Sequence, residues 1–207
     1  EGKNVPIHWH NDLEINLIRE GEAVFQVYQK SYRVRTGEGF LLNRNVPHSC
    51  SSPGNEHVRY STILVRPDFL YGDFGSDVER KCFQPFLQNS AIPCIYLTGF
   101  DENGKEILQK LNQVEEAFDR KRFCYELKIK GLLCEAFAMI LYGHRQELTK
   151  FVPANLQELE RLEKMLNYLN MHFTEVISLQ DLADQVHLSR EVCCRLFKKM
   201  TGKTITG

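Results

Sequence analysis

The C-terminal end of the chain constrains the fold most, because local signals there define two helices joined by a tight turn. Residues 177–202 read ISLQDLADQVHLSREVCCRLFKKMTG. Ser178 followed by Asp181 forms a capping box, which predicts the start of a first helix. Ser189 predicts a second helix start, and Gly202 predicts where that helix ends. Two short helices with a short turn between them form a helix-turn-helix unit.

Helical spacing predicts which residues of this unit are buried, namely Leu182, Ala183, Val186, Cys193, Leu196, Phe197 and Met200. The N-terminal part of such a second helix is where side chains reach base edges. An arginine there can donate two hydrogen bonds to a guanine, and lysines suit phosphates. The outward residues are therefore candidate DNA contacts: Ser189, Arg190, Glu191, Cys194, Arg195, Lys198 and Lys199. The alternative is a charged face that only contacts solvent.

The same run resembles the first helix-turn-helix of the AraC family of bacterial transcription regulators, above all in SLxxLA, LS and RLFKKxTG. The resemblance extends from about Leu156 to the C-terminus and implies a lead-in helix over Glu158–Phe173. His187 stands where the family usually has glycine, so we expect a left-handed backbone there. The family carries two such units, and the sequence stops at Gly207 after the first. Because it also starts without methionine, we expect it to be part of a longer chain.

The first third of the chain reads as all-β. Short runs rich in valine, isoleucine, phenylalanine and tyrosine predict strands at Glu14–Arg19, Ala23–Gln29, Tyr32–Arg35, Gly39–Leu42 and Val58–Val65. Without helical segments between them, these strands favour an antiparallel sandwich or barrel and exclude parallel βαβ units. Residues 69–95 have no clean period and predict no single element.

Polar side chains interrupt the start of this β region in PIHWHNDLEINLIREG, residues 6–21. Because side chains alternate along a strand, His8 and His10 should share one face while Trp9 points away and packs under a helix. Glu14 rejoins the histidine face if the chain bends at residues 11–12. We therefore expect these groups to converge on one concavity.

The spacing of His8, His10, Glu14 and Gly21 resembles the first cupin motif, and the segment from Gly37-Glu38-Gly39 to Pro47-His48 resembles the second. In the second motif Gly37 replaces the usual proline and the trailing asparagine is absent. The resemblance implies a barrel whose mouth carries His8, His10, Glu14 and His48.

Three uses of this set remain open. Three imidazoles and one carboxylate suit a divalent transition metal. The same residues could instead hydrogen-bond an organic effector, or simply pair with buried backbone groups. We expect no required cofactor, although the set would accommodate a metal ion.

Two amphipathic helices should follow the barrel. Asp101 is a plausible N-cap for the first, whose apolar positions are Ile107, Leu108, Leu111, Val114 and Phe118. The second ends near Gly143, with apolar positions Leu127, Leu133, Phe137, Ile140 and Leu141. They could cover their own barrel or form a dimer interface.

The predicted fold is a mainly β cupin barrel (a double-stranded β-helix) followed by α-helices, ending in an all-α helix-turn-helix part. The predicted divisions are an effector-binding barrel at 1–100, a helical dimerisation or cover region at 101–145, a linker at 146–156, and the first half of an AraC-type DNA-binding domain at 157–207.

Composition limits the partners and the compartment. A net charge of −1 gives no global field for nucleic acid or membrane, and no apolar run approaches the ~20 residues of a membrane span. Seven cysteines without CxxC spacing predict mostly buried, reduced thiols in a cytoplasmic protein.

We therefore predict a bacterial, non-enzymatic, sequence-specific transcription regulator. Its expected partners are double-stranded DNA, a small effector such as a sugar or related metabolite, and a second copy of the chain. The alternative is a metal-dependent cupin enzyme or a metal-anchored ligand sensor. The helix-turn-helix unit favours the regulator, and the histidine–glutamate set favours the alternative.

Overall fold

The computed structural model describes residues 4–54, 57–150, 152–153, 155–173 and 177–205. Its N-terminal part contains two four-stranded sheets, with strand orders β1-β6-β3-β4 and β7-β2-β5-β8. The strands are β1 (Val5–His8), β2 (Leu13–Glu20), β3 (Glu22–Val27), β4 (Lys30–Arg35), β5 (Gly39–Leu42), β6 (His48–Ser51), β7 (Arg59–Val65) and β8 (Cys94–Leu97). The strand pairings described are all antiparallel, so the predicted cupin-like architecture is confirmed.

The two sheets face each other across an apolar core that contains residues of both. Strand β3 alternates strictly between buried and half-buried positions, as expected when one face of a strand is covered. Its Phe25 stacks on Phe40 of β5, with ring centroids 4.8 Å apart. This contact joins the two sheets within the shared apolar core.

Strand β2 is buried on both faces, which explains its almost continuous apolar sequence. Leu13, Ile15 and Leu17 pack against a helical layer outside the barrel. The intervening positions Glu14, Asn16 and Ile18 therefore face the opposite sheet. One strand thus supports both the outer helical layer and the polar interior.

The helical layer comprises α1 (Pro67–Tyr71), a π-helical turn (Glu79–Phe83), α2 (Gln84–Leu87), α3 (Glu102–Arg120) and α4 (Tyr125–Gly143). Asp101 caps α3, because its side chain accepts a hydrogen bond from the Gly104 amide at 2.6 Å. Buried residues of α3 and α4 share one core with the outer face of β2. These helices therefore cover their own barrel, as one of the two predicted alternatives requires.

The C-terminal part contains α5 (Arg145–Leu148), α6 (Leu156–Met171), α7 (Leu179–Gln185) and α8 (Arg190–Thr201). The Ser178–Asp181 capping box and the Ser189 cap are both present. Gly202 ends α8 with φ 72°, and His187 adopts the expected left-handed conformation with φ 53°. All seven apolar positions predicted for the helix-turn-helix unit are buried, so that prediction is confirmed.

The structure differs from the sequence-based prediction at several places. Strands β6 and β8 were not predicted, and α5 (Arg145–Leu148) extends over the first three residues of the linker predicted at 146–156. Phe118 and Leu127 belong to predicted apolar stripes but are 57% and 71% exposed. The cysteines are free as expected, yet Cys82 and Cys124 are exposed and only Cys50 and Cys193 are buried.

Among the described helices, none is both long enough and apolar enough to cross a membrane.

Candidate functional site: a histidine–glutamate cluster and the outer face of helix α8

Strand pairing brings together the four residues predicted at the barrel mouth. His8 ends β1 and lies opposite His48, the first residue of β6. His10 lies just beyond β1, where the chain bends at residues 11–12 before entering β2 at Leu13. This bend returns Glu14 to the histidine face, as predicted, although the two N-terminal histidines do not share one regular strand.

The four side chains form a compact cluster, which we call the His–Glu cluster. One ligand atom from each of them lies within 4.8 Å of the others. The ring centroids of His8 and His48 are 4.3 Å apart, and that of His10 lies 5.5 Å from His48. Glu14 and His48 are 8% and 2% exposed, whereas His8 and His10 are half-buried. Solvent therefore reaches the cluster through His8 and His10 rather than through Glu14 and His48.

Each imidazole is oriented through its Nδ1 atom, which lies close to a backbone carbonyl two residues away. The partners are Pro6 O at 2.9 Å for His8, Asp12 O at 3.0 Å for His10 and Val46 O at 2.8 Å for His48. Because a carbonyl can only accept, Nδ1 must be the donor in each ring. The three Nε2 atoms are thereby left to face the cluster.

Glu14 binds this cluster through both carboxylate oxygens. His10 Nε2 lies 2.8 Å from its Oε2 and donates to it when the ring is doubly protonated, because Nδ1 already carries one proton. Asn16 donates to its Oε1 at 2.7 Å. His48 Nε2 lies 3.3 Å from Oε2 but makes no hydrogen bond of acceptable geometry with the described residues. A buried nitrogen without a partner marks the point where a ligand atom would be most stabilising.

The electrostatics of the cluster keep Glu14 ionised. Burial alone would raise the pKa of the Glu14 carboxyl, but His10, His48 and Asn16 together hold that pKa well below its usual range. The hydrogen bond to Glu14 raises the pKa of His10, while burial lowers the pKa of His8. The cluster thus presents one carboxylate beside imidazoles of unequal basicity.

Sequence reasoning missed Asn16, which is fully buried and positions Glu14. Its own carbonyl oxygen accepts a hydrogen bond from Thr62 of β7 at 2.7 Å, so the amide orientation is fixed. The signal available was a lone amide at the centre of the apolar strand LEINLIRE. A polar residue at such a position requires a polar partner.

The second candidate site is the outer face of α8. Ser189 caps this helix by accepting a hydrogen bond from the Val192 amide at 3.3 Å. The predicted contact residues Arg190, Glu191, Arg195, Lys198 and Lys199 are exposed and Cys194 is half-buried. Lys199 also contacts α6, because its Nζ lies 2.6 Å from a carboxylate oxygen of Glu158.

The fold and its two sites define a class of protein: a ligand-binding β-barrel joined in one chain to a helix-turn-helix unit. The chain belongs to the family described as the AraC-like ligand binding domain, whose sequence profile matches residues 1–137.

Two relatives from Bacillus subtilis (strain 168) are named as HTH-type transcriptional regulators rather than as enzymes. YdeC is 27% identical over 201 residues, covering 97% of this chain and 67% of YdeC. YbfI is 20% identical over 199 residues, covering 96% of this chain and 67% of YbfI. The chain thus spans about two thirds of each of these relatives. Among solved structures, apo ToxT K231A from Vibrio cholerae is similar over 100% of this chain and 91% of that chain, with 12% identity and a TM-score of 0.46.

Proposed function

We propose that the protein is a sequence-specific, DNA-binding transcription regulator whose barrel senses a small molecule at the His–Glu cluster. The observation that carries the proposal is the presence in one chain of a partly open polar cluster and a helix-turn-helix unit with an exposed second helix. The match to the AraC-like ligand binding domain supports the barrel part of the proposal, and two relatives named as HTH-type transcriptional regulators support the helix-turn-helix part. We place the regulator in the bacterial cytoplasm, where double-stranded DNA and metabolites are both accessible.

On the DNA side, α8 enters the major groove with its N-terminal half leading. Arg195 reads a guanine, and the half-buried Cys194 leaves room for a neighbouring base. Lys198 contacts phosphate, which positions the helix without reading sequence. Lys199 contributes less to DNA binding, because it already pairs with Glu158.

Selection of DNA duplexes from a random pool by the full-length protein tests this assignment. We expect enrichment of one defined sequence. Recovery of unselected sequences only, with binding that depends on salt but not on sequence, would contradict the proposal.

On the ligand side, the cluster suits a small polar effector such as a sugar or related metabolite. The imidazole Nε2 atoms and the Glu14 carboxylate offer hydrogen-bond partners for hydroxyl groups. A bound effector would act by favouring one arrangement of the helices, which requires it to bind two arrangements with unequal affinity.

A divalent transition metal is a second occupant that the donor set fits. His8, His10 and His48 each have Nδ1 held by a carbonyl, the outer-shell arrangement that orients metal-binding imidazoles. The buried His48 Nε2, which lies 3.3 Å from Glu14 Oε2, and the ionised Glu14 would complete a set of four ligands. A bound metal would supply a Lewis acid that anchors an oxygen-bearing effector.

Protein purified without added metal or chelator is expected to contain close to one equivalent of a transition metal, because three imidazoles and a carboxylate bind such ions tightly. The His48→Ala variant should lose that metal in elemental analysis. His144→Ala is the matched control, since its Nδ1 is also bound to a carbonyl, that of Ile140, at 2.9 Å. Equal metal content in wild type and His48→Ala would exclude the cluster as a metal site.

We propose further that the regulator acts as a homodimer, as two-fold symmetry is usual for such proteins. Helix α4 and the segment before it leave apolar side chains uncovered: Leu127 is 71% exposed and Phe123 is 99% exposed. This surface lies outside the helix–sheet core and is available to a second copy.

A further inference from the structure

One residue, Trp9, connects the His–Glu cluster to the helix-turn-helix unit. Trp9 lies between His8 and His10 in the chain, and its side chain packs against the core formed by α6, α7 and α8. The two flanking histidines face the cluster instead. A displacement of either histidine therefore moves the backbone of a residue that contacts the DNA-binding part directly.

Tyr28, in the turn between β3 and β4, makes the second contact with that core. Close approach of backbone to backbone fixes its position, because a Cβ atom added at Gly202 would lie only 2.6 Å from the Tyr28 carbonyl oxygen. Beside it, Gln29 Nε2 donates to the carbonyl of Lys198 at 3.4 Å. The C-terminal end of α8 thus rests on this hairpin turn.

The linker is attached to the barrel at the same time. The Ser90 amide donates to the carbonyl of Val152 at 2.7 Å, and the Val152 amide donates to the buried side chain of Asn89 at 3.1 Å. With the linker held, the helix-turn-helix unit docks on Trp9 and Tyr28 in one defined arrangement.

This arrangement leaves the outer face of α8 accessible. Arg190, Arg195 and Lys198 remain exposed although the unit is docked. Docking therefore does not act by masking these residues; it sets where they lie relative to the barrel.

We propose that Trp9 couples occupancy of the His–Glu cluster to docking of the helix-turn-helix unit. The inference rests on the proposed ligand-binding function of the cluster. A ligand that draws His8 and His10 together changes the position of Trp9, so it binds the docked and undocked arrangements with different affinity. Thermodynamic linkage then requires the reciprocal effect: weakening the contact of the helix-turn-helix unit with Trp9 and Tyr28 changes the affinity for the ligand, typically by about 5–150-fold.

Trp9 is the only tryptophan, so its fluorescence reports the surroundings of this one residue, and variants that weaken docking distinguish docking from a direct effect of the ion bound to its neighbours. The experiment uses the full-length, chelator-treated protein and Zn²⁺ as probe, since this ion has a filled d shell and no redox chemistry. We expect Zn²⁺ to shift the Trp9 emission with the midpoint that calorimetry gives for Zn²⁺ binding. His48→Ala should abolish both signals.

The reciprocal experiment uses substitutions outside the His–Glu cluster that weaken docking of the helix-turn-helix unit on the barrel. Tyr28→Ala should change the Zn²⁺ dissociation constant by about 5-fold or more, whereas Tyr32→Ala, on the neighbouring strand and outside the docking contact, should leave it unchanged. Gly202→Ala provides a second undocking variant. Its control is Gly37→Ala. The φ angle of Gly37 is 85°, similar to the 72° of Gly202, but no atom lies within 4 Å of a Cβ added at Gly37.

The outcomes separate the coupling from the site itself. Zn²⁺ binding with unchanged Trp9 emission and unchanged affinity in both undocking variants would overturn the coupling and leave the proposed ligand site intact. Absence of calorimetric Zn²⁺ binding in the wild type would overturn the metal-anchored site and the coupling together.

Discussion

The Arg195→Ala variant of the full-length protein is expected to bind its selected duplex about 1–3 kcal/mol more weakly than wild type, and to discriminate less at one base position. The physical reason is the loss of the two hydrogen bonds that the guanidinium donates to one guanine, because alanine can donate neither of them. Arg195 is exposed on α8 and is not needed for the helix-turn-helix core. Titration by fluorescence anisotropy at fixed salt measures the change.

Two control variants distinguish recognition of a base from the general effect of positive charge on DNA affinity. Lys198→Ala should weaken binding to all sequences alike and reduce the salt dependence by about one counterion. Arg145→Ala removes the same charge at α5, where the guanidinium lies 4.5 Å from the Tyr142 ring and outside the helix-turn-helix. Unchanged affinity and specificity in Arg195→Ala would remove this residue from the reading role.

The Phe137→Ala substitution is expected to lower the free energy of unfolding by about 3–5 kcal/mol, because it leaves a cavity in the core between α4 and the sheet. Phe137 is 1% exposed, and its ring centroid lies 5.8 Å from that of Phe83. Urea denaturation followed by circular dichroism measures the loss.

Phe74→Ala is the matched control, since Phe74 is 91% exposed between α1 and the π-helical turn. That change should stay within about 0.5 kcal/mol of wild type. A loss of less than about 1 kcal/mol in Phe137→Ala would mean that the site tolerates the cavity or that α4 does not pack on the barrel in solution.

Local signals allowed most of the C-terminal part to be predicted. Caps and apolar spacing act within a few residues, so Ser178, Asp181 and Ser189 could be assigned from sequence. Strand β6 could not, because its sequence HSCS has none of the valine, isoleucine, threonine, phenylalanine, tyrosine or tryptophan residues that favour strands. It forms a strand because β1 and β3 pair with it on either side, a property of the tertiary structure.

The same distinction applies to the His–Glu cluster. Its four residues could be predicted from the cupin resemblance, and the structure brings them together. The support from Asn16 and Thr62 depends on the pairing of β2 with β7. The ion pair between Lys199 and Glu158 depends on how α6 packs against α8. Neither could be read from residue spacing alone.

The contact of Trp9 with the C-terminal core also has a consequence for folding order. Helices α7 and α8 meet through neighbours close in sequence, whereas Trp9 meets a core that begins at Leu159. Loop-closure entropy makes such distant contacts form late. The barrel and the helix-turn-helix unit should therefore each become structured before they join. A contact absent from the folding transition state acts mainly on the unfolding rate, so docking on Trp9 should prolong the lifetime of the assembled state more than it speeds its formation.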